Sequence, residues 1–160
     1  MLVHPSPQKN SGTLANGVLY HLLERGEASG VHPVTRLDRD TFGVVILAKN
    51  ANIHDRFCRM LRERQLEKTY LAAVFGQPPQ AERQIDLPVY KVGGGSLIRV
   101  VDARGQQALT RYRVLETAGQ TALLELHPMT GRTHQLRLHC MASGSVSYTH
   151  LRAHETKANL

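Results

Sequence analysis

The order of the hydrophobic patterns along the chain constrains its fold more than any other feature of the sequence. Leu14, Val18 and Leu22 lie four residues apart, which is typical of one stripe along a helix. Between about residues 85 and 127, short runs of strand-forming residues are separated by breaks rich in glycine. Helical and strand patterns are therefore mixed, but without the strict strand–helix alternation of a parallel sheet. This arrangement predicts the α+β class.

Several further segments have patterns that predict individual helices and strands. Ser11 or Thr13 can cap the first helix, and Asn50 or Asn52 can cap a second one that carries arginines opposite its apolar stripe. A short, continuous, β-branched apolar run fits a buried strand better than a helix. In chain order, the segments after the first helix are a buried strand at residues 44–48, a helix after residue 50 or 52, a strand at residues 70–75, a strand at residues 121–126 and a helix at residues 132–142.

The composition describes an ordinary globular protein with a basic surface. The 160 residues include 20 Lys and Arg against 13 Asp and Glu, which gives a formal net charge of +7. This charge favours a polyanionic partner such as nucleic acid or an anionic membrane. The charge is the only feature that favours a membrane, because no strongly amphipathic basic helix with exposed large aromatic side chains is evident, so we expect no membrane partner. No apolar run is long enough to span a bilayer, and the N-terminus has no secretory-signal pattern. Because Cys58 and Cys140 lie far apart, neither a disulfide framework nor a cysteine zinc site is expected. We therefore expect a cytoplasmic protein.

The densest chemical signal is a charged loop at residues 35–43, which leads into the predicted buried strand. Arg36 and Arg39 alternate there with Asp38 and Asp40. A carboxylate beside an arginine is held ionised, which suits a nucleophile or an electrostatic stabiliser better than a proton donor. The alternative is a solvated turn whose ion pairs contribute little. On local spacing alone, the solvated turn is the better interpretation.

A second signal is the turn at Gly131 and Arg132, which enters the last predicted helix. Backbone N–H groups and a guanidinium at a helix start form a natural anion site. The alternative is a basic helix face with Leu136 and Cys140 buried beneath it.

A third signal is the pair Lys68 and Tyr70, which lie two residues apart at the start of a predicted strand and therefore on one face. A tyrosine in such a place is more often half-buried packing than a catalyst.

Other chemistries find no support in the sequence. His134 and His139 are five residues apart with no Glu between them, so they do not match a helical zinc motif. The remaining histidines are scattered singly, which favours solvated or hydrogen-bonded side chains over metal ligands. No nucleophile elbow or phosphate-binding loop is present in the sequence. The residues by themselves therefore do not indicate a metal site.

Taken together and in order, four segments resemble the RluA-type family of RNA pseudouridine synthases. These segments are residues 4–6 with 11–16, residues 36–41 with Gly43, residues 68–72, and residues 131–137. Each motif alone is weak, but four in the correct order make a chance match improbable. The commonest family pattern has His and Ser where this chain has Thr35 and Phe42, and neither position is the acidic one.

The resemblance implies an α+β fold with a mixed, largely antiparallel central sheet flanked by helices. It implies that Asp38 starts cleavage of the N-glycosidic bond of a uridine, and that Arg132 pairs with this carboxylate and orients it. Tyr70 matches the tyrosine that stacks on the base and can help to remove the C5 proton. Arg36 matches a residue that can fill the space left by the flipped nucleotide. The remaining candidate RNA-binding residues in these motifs are Arg39, Lys68, His134 and Arg137.

The same resemblance implies an isomerase of ribosomal or transfer RNA that needs no cofactor and no metal, and we expect it to be a monomer. Arg56, Arg59 and Arg62 on the second predicted helix can contact phosphates, although a solvated helix face is at least as good an interpretation. A catalytically silent RNA-binding module remains the alternative function.

The family pattern stops short at both ends of the chain. We expect residues 1–144 to be part of a pseudouridine synthase catalytic domain. Residues 145–160 resemble the translation of a sequencing adapter, so we expect a non-native tail there and exclude it from fold reasoning. We also expect this fragment to fold poorly or to be inactive, because missing strands leave backbone groups unpaired.

Overall fold

The structure is a computed structural model that describes residues 1–6, 10–27, 30–38, 40–93, 96 and 98–158, with only the backbone over 146–158. The chain divides into two compact units. The first consists of Met1–Glu67 together with the C-terminal residues from Lys157, and the second of Lys68–Thr156.

Two helices dominate the first unit, and both begin at caps that the sequence predicts. Helix α1 spans Leu14–Glu24 and helix α2 spans Ala51–Arg62. At α1, the Thr13 Oγ1 accepts a hydrogen bond from the Asn16 N–H at 3.4 Å, and the Thr13 N–H donates to the Asn16 Oδ1 at 3.1 Å. At α2, the Asn50 Oδ1 accepts from the Ile53 N–H at 2.9 Å. Each side chain satisfies an amide that a helix start leaves without an intrahelical partner.

The strands of the first unit are short, and they correct one expectation. Strands β1, β2 and β3 span His32–Pro33, Thr41–Gly43 and Leu47–Ala48, and β1 pairs with β3 in antiparallel orientation. The predicted continuous buried strand at residues 44–48 is wrong, because only its last two residues form a strand and Val44 is 48% exposed. The physical reason lies at Ile46, whose N–H donates to the Thr35 side chain at 3.1 Å instead of to a backbone carbonyl of the partner strand. The Ile46 carbonyl still accepts from the Val34 N–H at 2.9 Å, but the regular ladder ends there.

A largely antiparallel sheet forms the second unit, and its strands lie in the order β10–β4–β9–β8–β5. Strand β4 pairs with β9, β9 with β8, and β8 with β5, all antiparallel. Strands β6 and β7 form a separate antiparallel pair. The strand bounds are β4 Leu66–Phe75, β5 Glu82–Asp86, β6 Val89–Lys91, β7 Arg99–Val101, β8 Leu109–Ala118, β9 Thr121–Pro128 and β10 Val146–Ala158. With the helices, this arrangement confirms the α+β class and the largely antiparallel sheet.

Strand β10 is an element that the sequence did not predict. It occupies the stretch excluded from fold reasoning as a tail, and its backbone lies beside β4. The non-native origin of residues 145–160 stays a prediction.

The core of the second unit lies between the sheet and helix α3, which spans Gln135–Ala142. Alternate residues of the strands point to one face of the sheet, and the side chains buried on this face alternate over residues 72–74 of β4, 122–126 of β9 and 110–112 of β8. The predicted burial of Leu136 and Cys140 is confirmed, and burial raises the pKa of the Cys140 thiol to about 12. The buried members of the core are Ala72, Val74, Ile85, Tyr112, Ala122, Leu124, Leu126, Leu136 and Cys140.

Helix α3 begins three residues later than the sequence predicts. Residues 132–134 lie in a turn, and His134 at the N-cap has a left-handed backbone with φ 59°. The left-handed residue redirects the chain into the helix and leaves Arg132 outside it. The start predicted at residue 132 is therefore wrong, because the left-handed backbone of His134 separates Arg132 from the helix.

The β6–β7 pair carries its own electrostatic contacts. The Arg104 guanidinium lies 4.6 Å from the centroid of the Tyr90 ring, and its Nη2 donates to the Asp102 Oδ2 at 2.7 Å. This bond lowers the pKa of the Asp102 carboxyl to about 2. Gly105 lies so close to the β6 backbone that an added Cβ would meet the Val89 carbonyl carbon at 2.4 Å, so only glycine fits there.

Candidate active site

The loop that carries Asp38 is held by hydrogen bonds inside the first unit. The buried Thr35 Oγ1 accepts from the Ile46 N–H at 3.1 Å, and the Thr41 N–H donates to the Asp38 carbonyl at 3.0 Å. Thr35 therefore has a defined structural role at a position where it departs from the family pattern. The Asp38 side chain is half-buried, whereas Arg36 and Asp40 are exposed. One side-chain and one backbone hydrogen bond therefore hold the loop on either side of Asp38.

Arg39, the fourth charged residue of this loop, lies outside the described residues. Its role in RNA binding stays a prediction.

Tyr70 and Lys68 lie on one face of β4 in the second unit, as the sequence predicts. Tyr70 is half-buried, stands opposite Leu126 of β9, and packs against the core cluster. Lys68 is also half-buried, and its Nζ lies 3.6 Å from the position that a Cβ on Gly131 would occupy. The start of β4 and the turn before α3 are therefore neighbours, and the lysine ammonium lies beside that turn.

Arg132 lies on this turn, which we call the Arg132 turn and define as residues 129–134. Its side chain is exposed, and the guanidinium Nε donates to the Gln107 carbonyl at 3.1 Å. This contact uses one of the five N–H donors of the guanidinium and ties the side chain to the segment before β8. The pairing of Arg132 with Asp38 that the resemblance implies stays a prediction.

Gln135 connects the Arg132 turn to the sheet, a role that the sequence motifs did not indicate. It is 3% exposed. Its Oε1 accepts from the Thr130 hydroxyl at 2.8 Å and from the Arg132 N–H at 3.0 Å. Its Nε2 donates to the Leu109 carbonyl at 3.0 Å and to the Thr110 Oγ1 at 2.9 Å. No local pattern in the sequence indicates this role, because Leu109 and Thr110 lie about 25 residues away on β8.

His139, one helical turn further along α3, continues this buried polar network. The Leu87 carbonyl can only accept, so the His139 Nε2 carries the proton and donates to it at 3.0 Å. The Nδ1 is then the acceptor for the Thr110 hydroxyl at 2.9 Å. Burial lowers the pKa of His139, which is consistent with this neutral tautomer. The expectation of a hydrogen-bonded histidine is confirmed for His139.

A second polar network crosses the opposite face of the sheet. The Arg113 Nη2 donates to the Glu125 Oε1 at 3.0 Å, and the His127 Nε2 lies 3.2 Å from the same oxygen. The His127 Nδ1 lies 3.3 Å from the Thr69 Oγ1. The hydrogen bond from His127 is the main reason why the pKa of Glu125 is lowered. Because successive residues of β4 point to opposite faces, this network lies behind Tyr70 rather than beside it.

The remaining predicted RNA-binding residues are accessible to different degrees. His134 and Arg137 at the start of α3 are half-buried, whereas Arg56, Arg59 and Arg62 on α2 are exposed.

Within the described ranges, no group of three or more His, Cys, Asp or Glu side chains could hold a metal ion. No helix in the described part of the chain has the length and apolar character needed to cross a membrane.

Comparison with known proteins links these motifs to one family. A family model described as RNA pseudouridylate synthase matches residues 1–142. An uncharacterized RNA pseudouridine synthase of Aquifex aeolicus is 38% identical over 149 residues, which are 90% of this chain and 47% of the relative. The human pseudouridylate synthase RPUSD2 is 38% identical over 133 residues, which are 81% of this chain and 24% of the relative.

Solved structures agree with the sequence comparison. Human RNA pseudouridylate synthase domain containing 1 superposes with a TM-score of 0.66 at 28% identity, over 84% of this chain and 57% of that one. The chain spans about half the length of the first curated relatives it matches. The match over residues 1–142 includes all four motifs and confirms the resemblance. The chain belongs to the RluA-type family of RNA pseudouridine synthases.

Proposed function

We propose that the protein carrying this sequence isomerises uridines in RNA to pseudouridine, and that Asp38 is the carboxylate that starts the reaction. The family match over residues 1–142 is the observation that carries the proposal. The half-buried Asp38 on a hydrogen-bonded loop supports it, because a reactive carboxylate must be held in one orientation. The formal net charge of +7 is consistent with an RNA substrate.

In the proposed reaction, the ionised Asp38 starts cleavage of the bond between the ribose C1′ and the uracil N1. The freed uracil rotates and reattaches through C5, so that a C1′–C5 bond replaces the C1′–N1 bond. The C5 proton is lost, and N1 gains one, which leaves the elemental composition unchanged. Tyr70 stacks on the uracil and helps to remove the C5 proton. Arg132 orients the Asp38 carboxylate. The balanced step requires no oxidant and no cofactor.

The RNA contacts in this proposal come from Arg36, Arg39, Lys68, His134 and Arg137. The Lys68 ammonium beside Gly131 supports a phosphate or base contact close to Tyr70, since both residues lie on one face of β4. Arg36 is exposed, which suits its proposed place in the gap left by the flipped uridine. We further propose that the substrate is a ribosomal or transfer RNA, that the protein is a cytoplasmic monomer, and that residues 1–144 belong to its catalytic domain.

The decisive test compares Asp38→Asn with Asp40→Asn in the whole protein that carries this sequence. Asp40 is the matched control, because it is an exposed carboxylate two residues away in the same loop. Turnover is measured as tritium released from RNA labelled at uridine C5. We expect Asp38→Asn to reduce turnover by at least about 10³-fold, as removal of an essential reacting group does in other enzymes. Asp40→Asn should retain turnover, and both variants should retain RNA binding.

The alternative function is a catalytically silent RNA-binding module. The three exposed arginines of α2 favour it, because they offer phosphate contacts without chemistry. This alternative predicts that the unmodified protein binds RNA but releases no tritium. Equal turnover of Asp38→Asn and the unmodified protein would reject the role proposed for Asp38.

A further inference from the structure

The side-chain amide of Gln135 has four hydrogen-bonding positions, and all four are used. Its two N–H groups donate to the Leu109 carbonyl and the Thr110 hydroxyl, while its oxygen accepts from the Thr130 hydroxyl and the Arg132 N–H. An amide has two donors and two acceptor lone pairs, so no further partner can be accommodated. The orientation of the amide is therefore determined by its partners.

The four bonds join two different parts of the second unit. The oxygen holds the Arg132 turn, and the nitrogen holds the start of β8. The Thr130 hydroxyl also accepts from the Leu109 N–H at 2.9 Å, which closes a second link between the same two segments. The Arg132 Nε adds a third link, because it donates to the Gln107 carbonyl just before β8. The backbone of Arg132, through Gln135, and its side chain are therefore both linked to the segment of residues 107–110.

We propose that Gln135 is a positioning residue for Arg132. The buried Gln135 oxygen accepts a hydrogen bond from the Arg132 N–H, and the same amide is bonded to β8. This contact fixes the position of the Arg132 backbone and so limits the positions that the guanidinium can reach. This inference rests on the proposed function, in which Arg132 orients Asp38. Its physical basis is that a displacement of about 1 Å in a positioning contact can cost on the order of 10²-fold in rate.

His139 distinguishes this role from a purely structural one. It is as deeply buried as Gln135, lies on the same helix and shares the Thr110 hydroxyl. Its other bond goes to the Leu87 carbonyl, and none of its described bonds goes to the Arg132 turn. A variant of His139 therefore disturbs the same buried network without removing a contact to Arg132. His139→Asn is the matched control, because the Asn oxygen can still accept from Thr110.

The experiment uses the whole protein that carries this sequence and compares Gln135→Met, His139→Asn, Arg132→Ala and the double variant Arg132→Ala/Gln135→Met. Tritium release is measured under single-turnover conditions, and RNA affinity is measured separately. Gln135→Met should lower the single-turnover rate by on the order of 10²-fold at unchanged RNA affinity. His139→Asn should keep the rate even where its melting temperature falls. The double variant should be no slower than Arg132→Ala alone, because coupled residues are not additive.

Amide hydrogen exchange at Arg132 gives a readout independent of activity. Gln135→Met should accelerate exchange of this amide relative to the amides of α3, whereas a general loss of stability would accelerate both. If Gln135→Met does not fold, Thr130→Val supplies the test, since it removes the hydroxyl between Gln135 and Leu109. Thr130→Val should lower the rate in the same direction, and Thr130→Ser should restore it.

The outcomes separate the two proposals. An unchanged single-turnover rate in Gln135→Met, or a loss that adds fully to that of Arg132→Ala, overturns the inference alone. A wild-type rate in Arg132→Ala overturns the role proposed for Arg132 and the inference with it. If the unmodified protein releases no tritium, the proposed function is wrong, and unchanged exchange of the Arg132 amide in Gln135→Met would then also reject the local anchoring.

Discussion

Replacement of Leu126 by alanine tests the packing that supports Tyr70. Leu126 is fully buried at 0% exposure on β9, where it stands opposite Tyr70 of β4 and Tyr112 of β8. The leucine side chain fills the space between these two strands on the core face of the sheet. Leu126→Ala would leave a cavity beneath the tyrosine that we propose stacks on the uracil.

The loss in the free energy of unfolding depends on how much apolar side chain is removed and on how far the surrounding residues can move into the cavity. Loss of about three buried carbon groups costs about 2.4 kcal/mol at about 0.8 kcal/mol per group. The cavity adds to this, and fully buried leucines in other proteins lose about 2.7–5.0 kcal/mol on truncation. Strand β9 is hydrogen-bonded on both sides, so its backbone cannot move inward to fill the space. We therefore expect a loss of about 4 kcal/mol in the free energy of unfolding.

The assay is equilibrium unfolding in urea, followed by circular dichroism, with the free energy taken from the midpoint and the slope. Leu123→Ala is the matched control, because Leu123 is the same side chain on the same strand but is half-buried on the opposite face. The control should lose about 1–2 kcal/mol. A loss at Leu126 no larger than that at Leu123 would refute the assignment of this face as the core.

Two further predictions concern buried polar groups. Among the described residues, the buried Tyr112 hydroxyl has no hydrogen-bond partner. Tyr112→Phe should therefore leave the free energy of unfolding unchanged or raise it by up to about 1 kcal/mol, which a thermal melt would show as an equal or higher melting temperature. A clear decrease in melting temperature would mean that the hydroxyl is bonded in solution. Because burial lowers the pKa of His139, the unfolded chain binds the proton more readily, so the free energy of unfolding should fall as the pH drops below about 6.5 and should be flat above it. Urea titrations at several pH values should show a smaller dependence in His139→Asn, and identical pH profiles would contradict the neutral buried state.

The elements that the sequence predicted well are those whose signals are local. Helices α1 and α2 begin where Thr13 and Asn50 can cap them, and a cap needs only the next three residues of the chain. The strand predicted at residues 44–48 was wrong because the Ile46 N–H, which would continue the ladder, is bonded to the side chain of Thr35, eleven residues away in the sequence. An apolar run indicates burial, but the length of a strand is decided by the strand beside it.

The candidate site was predictable in part for the same reason. The motifs supplied Asp38, Tyr70 and Arg132 directly, since each lies in a short recognisable segment. The role of Gln135 could not be predicted, because its partner Thr110 is 25 residues away and meets it only through the register of β8. A residue that acts through a long-range hydrogen bond leaves no spacing pattern in the sequence.

The contacts of Arg104 bear on how this protein should respond to ionic strength. Arg104 is bound to Asp102 and lies over the Tyr90 ring, so its charge is already neutralised within the β6–β7 pair. Arg113 is similarly occupied by Glu125. The steepness with which added salt weakens RNA binding reflects the counterions released where cations meet phosphates, not the formal charge of the chain. The 20 lysines and arginines therefore overstate the number of phosphate contacts that a salt titration of the proposed RNA complex would count, whereas the net charge of +7 already subtracts the carboxylates of Asp102 and Glu125.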